Sequence, residues 1–267
     1  MIVAEELYKG FDGVPVLHGA SLAVRTGEIV ALIGPSGDGK SVFLKHLAGL
    51  LRPDRGRVLF DGHDLARLQP SALAELRSQF GFLFQGGALF DSMTVFDNVA
   101  FPLREKTKMR EPEIRMRVQA SLAQVELDDV MEKYPAQLSG GMAKRVALAR
   151  ALILSPKIML FDEPTAGLDP IIGHAILDLI GSMQRRLGFG GILVTHEIPA
   201  VFAFVQQVAM LYRGRIQFVG TPQELLAAED TMVRAFVHGS LPPGVFQPVD
   251  DTRPRDSREG LAAGGGR

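Results

Sequence analysis

Residues 28–41 constrain the fold more than any other stretch. Residues 28–33 (EIVALI) read as a buried strand, apolar without a break from Ile29 on, as expected for a strand covered on both faces. The run breaks into Gly34-Pro35-Ser36-Gly37-Asp38-Gly39-Lys40-Ser41, spaced G-x-x-x-x-G-K-S. Residues 42–50 then read as an amphipathic helix that Gly49 and Pro53 help to end. Glycines let consecutive backbone N–H groups curl around phosphate oxygens without Cβ clashes. The helix that follows points its positive N-terminal end at the same anion. In this spacing Lys40 reaches the β/γ-phosphates of a nucleotide and the Ser41 hydroxyl faces Mg²⁺.

A second stretch, residues 138–169, reads LSGGMAKRVALARALILSPKIMLFDEPTAGLD. Ser139 is placed to cap a helix, and Ser155-Pro156 stops it. Arg145 and Arg150 interrupt its apolar positions, so a solvated face is expected. Residues 157–161 are a strand-length apolar run with Asp162 and Glu163 at its C-terminal end. Ligands of an open α/β sheet bind at that end. Adjacent carboxylates there serve a hard cation and a water nucleophile together.

In this order and spacing the motifs resemble the ATP-binding subunit of ABC transporters. LSGGM is similar to the family's LSGGQ signature, IMLFD-E to its Walker B strand with the catalytic glutamate, and AGLD, ending at Asp169, to its D-loop. The resemblance covers residues 1–237. It implies an α/β fold: a P-loop NTPase core, an N-terminal antiparallel β subdomain and an inserted α-helical subdomain at about residues 86–155. It implies ATP and Mg²⁺ as cofactors and hydrolysis of ATP to ADP and phosphate. Asp162 then helps to hold Mg²⁺ through water, and Glu163 acts as general base. Gln85 becomes the Q-loop glutamine linking Mg²⁺ and the γ-phosphate to a membrane partner, and His196 the H-switch on the γ-phosphate. Phe11 stands where the family stacks an aromatic ring on adenine, with Val16 beside it. Relatives carry a second Ser or Thr after the P-loop; here Val42 takes that place, which removes one α-phosphate hydrogen bond. Many also carry an Asp-Arg pair where this chain has Gln206-Gln207. Ser139, Gly140 and Gly141 of one subunit close the ATP site of another. One glycine loop and one signature per chain therefore imply a homodimer, with an integral membrane permease as further partner.

Composition excludes several other classes. Lysine plus arginine (29) nearly balances aspartate plus glutamate (30), so there is no basic footprint for nucleic acid. With no cysteine there is no disulfide, Cys-zinc site or thiol nucleophile. No apolar run approaches the ~18 residues of a membrane span, and the first residues (MIVAEELYKGF) lack a signal-peptide apolar region. The expected location is cytoplasmic, on the inner face of the inner membrane, through a partner.

Elsewhere the sequence predicts short strands over residues 1–27 with turns at 11–13 and 25–27, and strands at 57–60, 80–84, 192–195 and 215–219. It predicts helices at 95–103, 113–125 and from Pro170 to Leu187, a turn at Gly188-Phe189-Gly190-Gly191, and a helical end piece from Pro222. The run at 86–105, with Leu89, Phe90, Met93, Val95, Phe96, Val99 and Phe101, resembles ATPases of Mce-associated lipid transport, the MlaF/Mkl type, as do Val42 and Met142. That resemblance implies phospholipid transport across a bacterial envelope with an Mce-domain protein as further partner. The alternatives are the ATPase of a generic solute importer and a non-transport ATP-gated switch. Residues 238–267, rich in Pro, Gly, Asp and Arg, are expected to be a disordered tail.

Overall fold

The computed structural model describes residues 1–237 and Gly239; the expected disordered tail at 238–267 otherwise lies outside the described residues. The chain opens with two long strands, β1 (Ile2–Phe11) and β2 (Val14–Val24). The turn between them places Asp12 and Gly13 at positive φ, the backbone whose twist suits a hairpin. These strands are longer than the short ones the sequence predicts, because register shifts between Ala4 and Gly10 carry the pairing past irregular residues. β3 (Ile29–Ile33), α1 (Lys40–Leu47), β4 (Arg55–Phe60), β5 (His63–Asp64), α2 (Pro70–Arg77) and β6 (Phe80–Leu83) follow. Next come α3 (Val95–Lys106), α4 (Glu111–Gln124) and α5 (Gly140–Leu152), with no strand between them. The chain then runs through β7 (Ile158–Asp162), α6 (Pro170–Leu187), β8 (Gly190–Val194), α7 (Ile198–Val201), β9 (Gln207–Tyr212), β10 (Arg215–Gly220), α8 (Pro222–Leu226) and α9 (Thr231–Val237).

Two sheets result. The antiparallel one has the order β2-β1-β4-β5, the larger one β10-β9-β3-β8-β7-β6. In the larger sheet β9, β3, β8, β7 and β6 run parallel and β10 closes the edge antiparallel. Its central strands feed two cores by alternation. Ile29, Ala31 and Ile33 of β3 join Met159 and Phe161 of β7 in a core shared with α3, α4, α5 and α6. Val30 and Leu32 join Ile158 and Leu160 in a core shared with α1 and the antiparallel sheet. A period of two with both faces covered is why these strands read as unbroken apolar runs.

The structure corrects several boundaries. Of the four residues expected to turn at 188–191, Gly188 alone is the left-handed C-cap of α6, and Gly190 and Gly191 already pair in β8. A Cβ on Gly191 would sit 2.1 Å from the carbonyl oxygen of Met159. The glycine serves close backbone approach inside the sheet, not a turn. α2 is a helix the sequence does not predict; Leu76 is its one fully buried residue, with Leu73 one turn earlier packed against the same core. α3 continues through Pro102 to Lys106, beyond the predicted Leu103. Its last turn is anchored by Arg104, which bridges Asp97 (2.9 Å) and Glu111 of α4 (2.7 Å). Among the described residues no helix is long and apolar enough to cross a membrane.

Candidate functional site

The parallel strands end at one edge of the larger sheet, and that edge collects the candidate residues. Leu32 pairs with Val194, and Val194 with Asp162; Phe161 pairs with Leu83. The segments that follow these strands carry Gly34–Ser41, Glu163, His196 and Gln85.

The glycine loop runs from β3 into α1. Gly34 has φ 147°, and a Cβ there would lie 2.0 Å from the carbonyl oxygen of Leu211, so β9 packs directly on the loop's backbone. Gly39 is the N-cap of α1, and the Val16 side chain of β2 lies against it. Pro35 is buried, whereas Ser36 and Gly37 are exposed at the tip. Lys40, 7% exposed as a residue, donates through its ammonium to the carbonyl oxygens of Gly34 (2.8 Å) and Pro35 (2.7 Å). Burial lowers its pKa from the ordinary lysine value, opposed by the fields of Glu163, Asp38 and Asp162. Asp38 is half-buried and accepts the backbone N–H of Arg213 at 2.8 Å, which ties the loop tip to the β9–β10 turn. Burial raises its carboxyl pKa, against that hydrogen bond and the Lys40 charge. Val42 packs against the core beneath α1.

Residues distant in sequence meet at Ser41 and Asp162. The Ser41 hydroxyl donates to Asp162 Oδ1 at 2.8 Å across 121 residues of chain. Glu163 follows at φ 46°, a left-handed conformation unfavourable for a side-chain-bearing residue and common at functional sites. Its N–H donates to Val194 and its carbonyl accepts from Ala166, both at 3.1 Å, so the turn is fastened on both sides. His196 is exposed, directly after buried Thr195, whose hydroxyl accepts the N–H of Glu197 at 3.0 Å. Gln85 is exposed just beyond β6.

The signature turn lies beside the D-loop of the same chain. Ser139 caps α5 by accepting the N–H of Met142 at 3.3 Å. A Cβ on Gly140 would reach Leu168 at 3.1 Å, and one on Gly141 would reach Ile172 at 2.7 Å. Asp169 caps α6 through the N–H groups of Ile171 and Ile172, each at 3.1 Å. Phe11 is exposed at the end of β1, with the Lys9 ammonium 5.4 Å from its ring centroid.

α5 departs from the solvated face its arginines led one to expect. Arg150 is half-buried and donates to the carbonyls of Gly87 (2.7 Å) and Ala88 (2.8 Å); burial lowers its pKa. Arg145 reaches the carbonyl of Val125 (3.0 Å) and the Glu126 carboxylate. Lys144, which sequence reasoning passed over, is 8% exposed and donates to the carbonyl of Gln85. No spacing rule marks a lysine among apolar residues as inward-facing; its place one helical turn before Leu148 was the available signal. Where a charged pair was expected to be missing, the Gln206 amide joins β9 to β3 by accepting the N–H of Ile29 at 2.7 Å.

A nucleotide and a magnesium ion fit this donor set. The loop offers backbone donors, a buried ammonium and a helix N-terminus to phosphate. A hydroxyl beside a carboxylate is an all-oxygen pair suited to a hard cation. Among the described residues no group of three or more His, Cys, Asp or Glu could hold a metal ion.

The fold and site define a P-loop ATPase. A family model described as ABC transporter matches residues 17–166. "Probable ribonucleotide transport ATP-binding protein mkl" of Mycobacterium tuberculosis is 42% identical over 260 residues, 97% of this chain and 72% of that protein. "Intermembrane phospholipid transport system ATP-binding protein MlaF" of Escherichia coli is 40% identical over 224 residues, 84% of this chain and 83% of that protein. Among solved structures, the dimeric post-hydrolysis state of the ATP-binding cassette MJ0796 bound to ADP and Pi has TM-score 0.76 and 32% identity. It covers 83% of this chain, which covers 99% of it in turn. The chain belongs to the ABC transporter family and is an ATP-binding, ATP-hydrolysing cassette.

Proposed function

We propose that the chain energises phospholipid transport across a bacterial envelope as a homodimer docked on an integral membrane permease, at the inner face of the inner membrane, with an Mce-domain protein completing the system. Lys40, with the backbone N–H groups of Gly34, Pro35, Ser36, Gly37, Asp38 and Gly39, holds the phosphates, and Val42 follows with no hydroxyl to add. Phe11 and Val16 receive the base. Ser41 and Asp162, with Gln85, hold Mg²⁺, which when bound neutralises charge on the phosphates. Glu163 takes a proton from water as the water oxygen bonds to the γ-phosphorus and the bridging P–O bond to ADP breaks. Gln85 and His196 position the transferring group, and most of the rate acceleration is positioning and electrostatics. Ser139, Gly140, Gly141 and Asp169 of each subunit serve the site of the other.

The observation that carries the transport reading is an aromatic pair beside Gln85. Phe90 and Phe101 are 43% and 37% exposed, with ring centroids 5.3 Å apart. The patch is narrower than the apolar run from which it comes. Val95 and Val99 are fully buried, and Leu89 and Phe96 pack on the core. Two adjacent exposed rings suit a short partner helix. The relatives' names divide over cargo. The ribonucleotide name is given as probable, and the run at 86–105 resembles ATPases of lipid transport, so phospholipid is the reading adopted. Purifying the chain with its membrane partners and identifying permease and co-purifying small molecules by mass spectrometry tests it. A lipid-transport permease carrying phospholipid is expected; a solute-importer permease, a ribonucleotide cargo or a soluble complex alone would overturn it.

A further inference from the structure

The segment after β6 is fastened to α5 through its backbone carbonyls. Lys144 donates to the carbonyl of Gln85. Arg150 donates to those of Gly87 (2.7 Å) and Ala88 (2.8 Å). Between them on the helix, the Ala147 Cβ lies 3.4 Å from where a Cβ on Gly87 would be. Positions 144, 147 and 150 recur every three residues, so they share one face of α5. Gly87 (φ 73°) adopts the left-handed region freely and its N–H closes a turn on the Phe84 carbonyl, whereas Ala88 (φ 50°) holds it against its side chain's preference. A long lysine side chain that merely covered apolar surface would carry its ammonium out to water. Lys144, 8% exposed as a residue, instead turns its ammonium onto the Gln85 carbonyl. Burial lowers its pKa, and the nearby Glu163 carboxylate acts in the opposite direction.

We propose that Lys144 is a positioning residue of the ATPase: it locks the Gln85 backbone to the signature helix, so that the Gln85 side chain and the signature turn move as one body. The proposal rests on the role given above to Gln85. Gln85 has an exposed side chain and an anchored carbonyl. Such a residue can reach a substrate while its backbone reports the position of α5. Arg150 supplies the second anchor. Releasing Lys144 leaves nucleotide binding at Lys40 untouched and loosens the group that positions the reaction.

The test uses the full-length chain with Lys144→Met, Lys144→Arg and Gln85→Ala, measuring steady-state ATP hydrolysis and backbone hydrogen exchange over residues 84–89. Lys144→Met is expected to lower kcat about tenfold with KM for ATP within about twofold, the signature of lost positioning, not lost binding. Exchange should rise in 84–89 while the unfolding midpoint stays near that of the wild type. Lys144→Arg should recover most of kcat, since a guanidinium also donates to a carbonyl. If Lys144→Met does not fold, Lys144→Ala, which also lacks a donor, replaces it with the same expectations. Wild-type kcat in the Lys144 variants with Gln85→Ala impaired would refute the clamp alone. An arginine variant as slow as the methionine one would refute the role of the donated hydrogen bond. A Gln85→Ala chain with wild-type kcat would show instead that the reading of Gln85 has failed, and the clamp would fall with it.

Discussion

Acidification should destabilise this chain through His46, which lies on the helix that begins at the P-loop lysine. The ring is 1% exposed. Nδ1 lies 2.7 Å from the carbonyl oxygen of Val42, and Nε2 has no hydrogen-bond partner. The imidazole borders a cavity of about 170 Å³ that is also lined by Leu50, Leu51, Leu65 and Leu73. Burial is the largest influence and lowers its pKa from the ordinary 6.5; the Val42 hydrogen bond opposes this and the Lys9 charge adds to it. The sign follows from proton uptake. Below pH 6.5 the unfolded chain binds a proton at this position that the folded chain refuses. The contribution is therefore complete above that pH and is lost as pH falls toward the folded pKa. One proton bound by the unfolded state alone gives a slope of about 1.4 kcal/mol per pH unit. If the folded imidazole stays neutral, the loss from pH 7 to pH 5 is about 2 kcal/mol, or roughly 5 °C in Tm for a domain of this size. Thermal unfolding of wild type and His46→Leu at both pH values isolates the effect, because other titrating groups are common to both. The wild type should lose more than the variant, by up to about 2 kcal/mol. Equal losses would refute the reasoning.

Three further outcomes follow. Mixing Lys40→Ala subunits with Ser139→Arg subunits should give heterodimers with at most one competent site, while each pure variant has none; full activity of either pure variant would rule out a shared site. Phe90→Asp should leave ATP binding intact and abolish recovery of the permease in affinity purification from membranes; unchanged recovery by charged variants at both Phe90 and Phe101 would remove the docking site. Gly191→Ala places a Cβ 2.1 Å from a backbone oxygen in the central sheet. It should cost about 3 kcal/mol or more and lower soluble yield; a wild-type unfolding midpoint would contradict the close-approach explanation.

The sheet was legible because its central strands are buried on both faces, which leaves continuous apolar runs such as IVALI and IMLFD. The glycine loop and the acidic pair stood out by residue type and spacing, and the fold brings Ser41 of the one to Asp162 of the other. Other features depend on partners far away in the chain. Gly190 and Gly191 read as a turn because glycine usually marks one, and only the neighbouring strand shows that they admit close backbone contact. Arg150 read as solvent-facing because its partners are backbone carbonyls of residues 87 and 88, about sixty positions earlier, which carry no side-chain signal. Lys144 was hidden for the same reason. The aromatic run was visible, but which rings are exposed depends on how α3 turns its buried face toward α4 and α5.

The central claim is that ATP hydrolysis runs at the edge where Ser41 meets Asp162, with Glu163 as the base. The most direct test is the ATP turnover rate of Glu163→Gln, measured with nucleotide binding and dimer lifetime on the same protein. An amide accepts no proton from water, so hydrolysis should slow by roughly 10²- to 10⁴-fold, ATP should still bind, and the ATP-bound dimer should persist. Hydrolysis by Glu163→Gln at the wild-type rate would contradict the account.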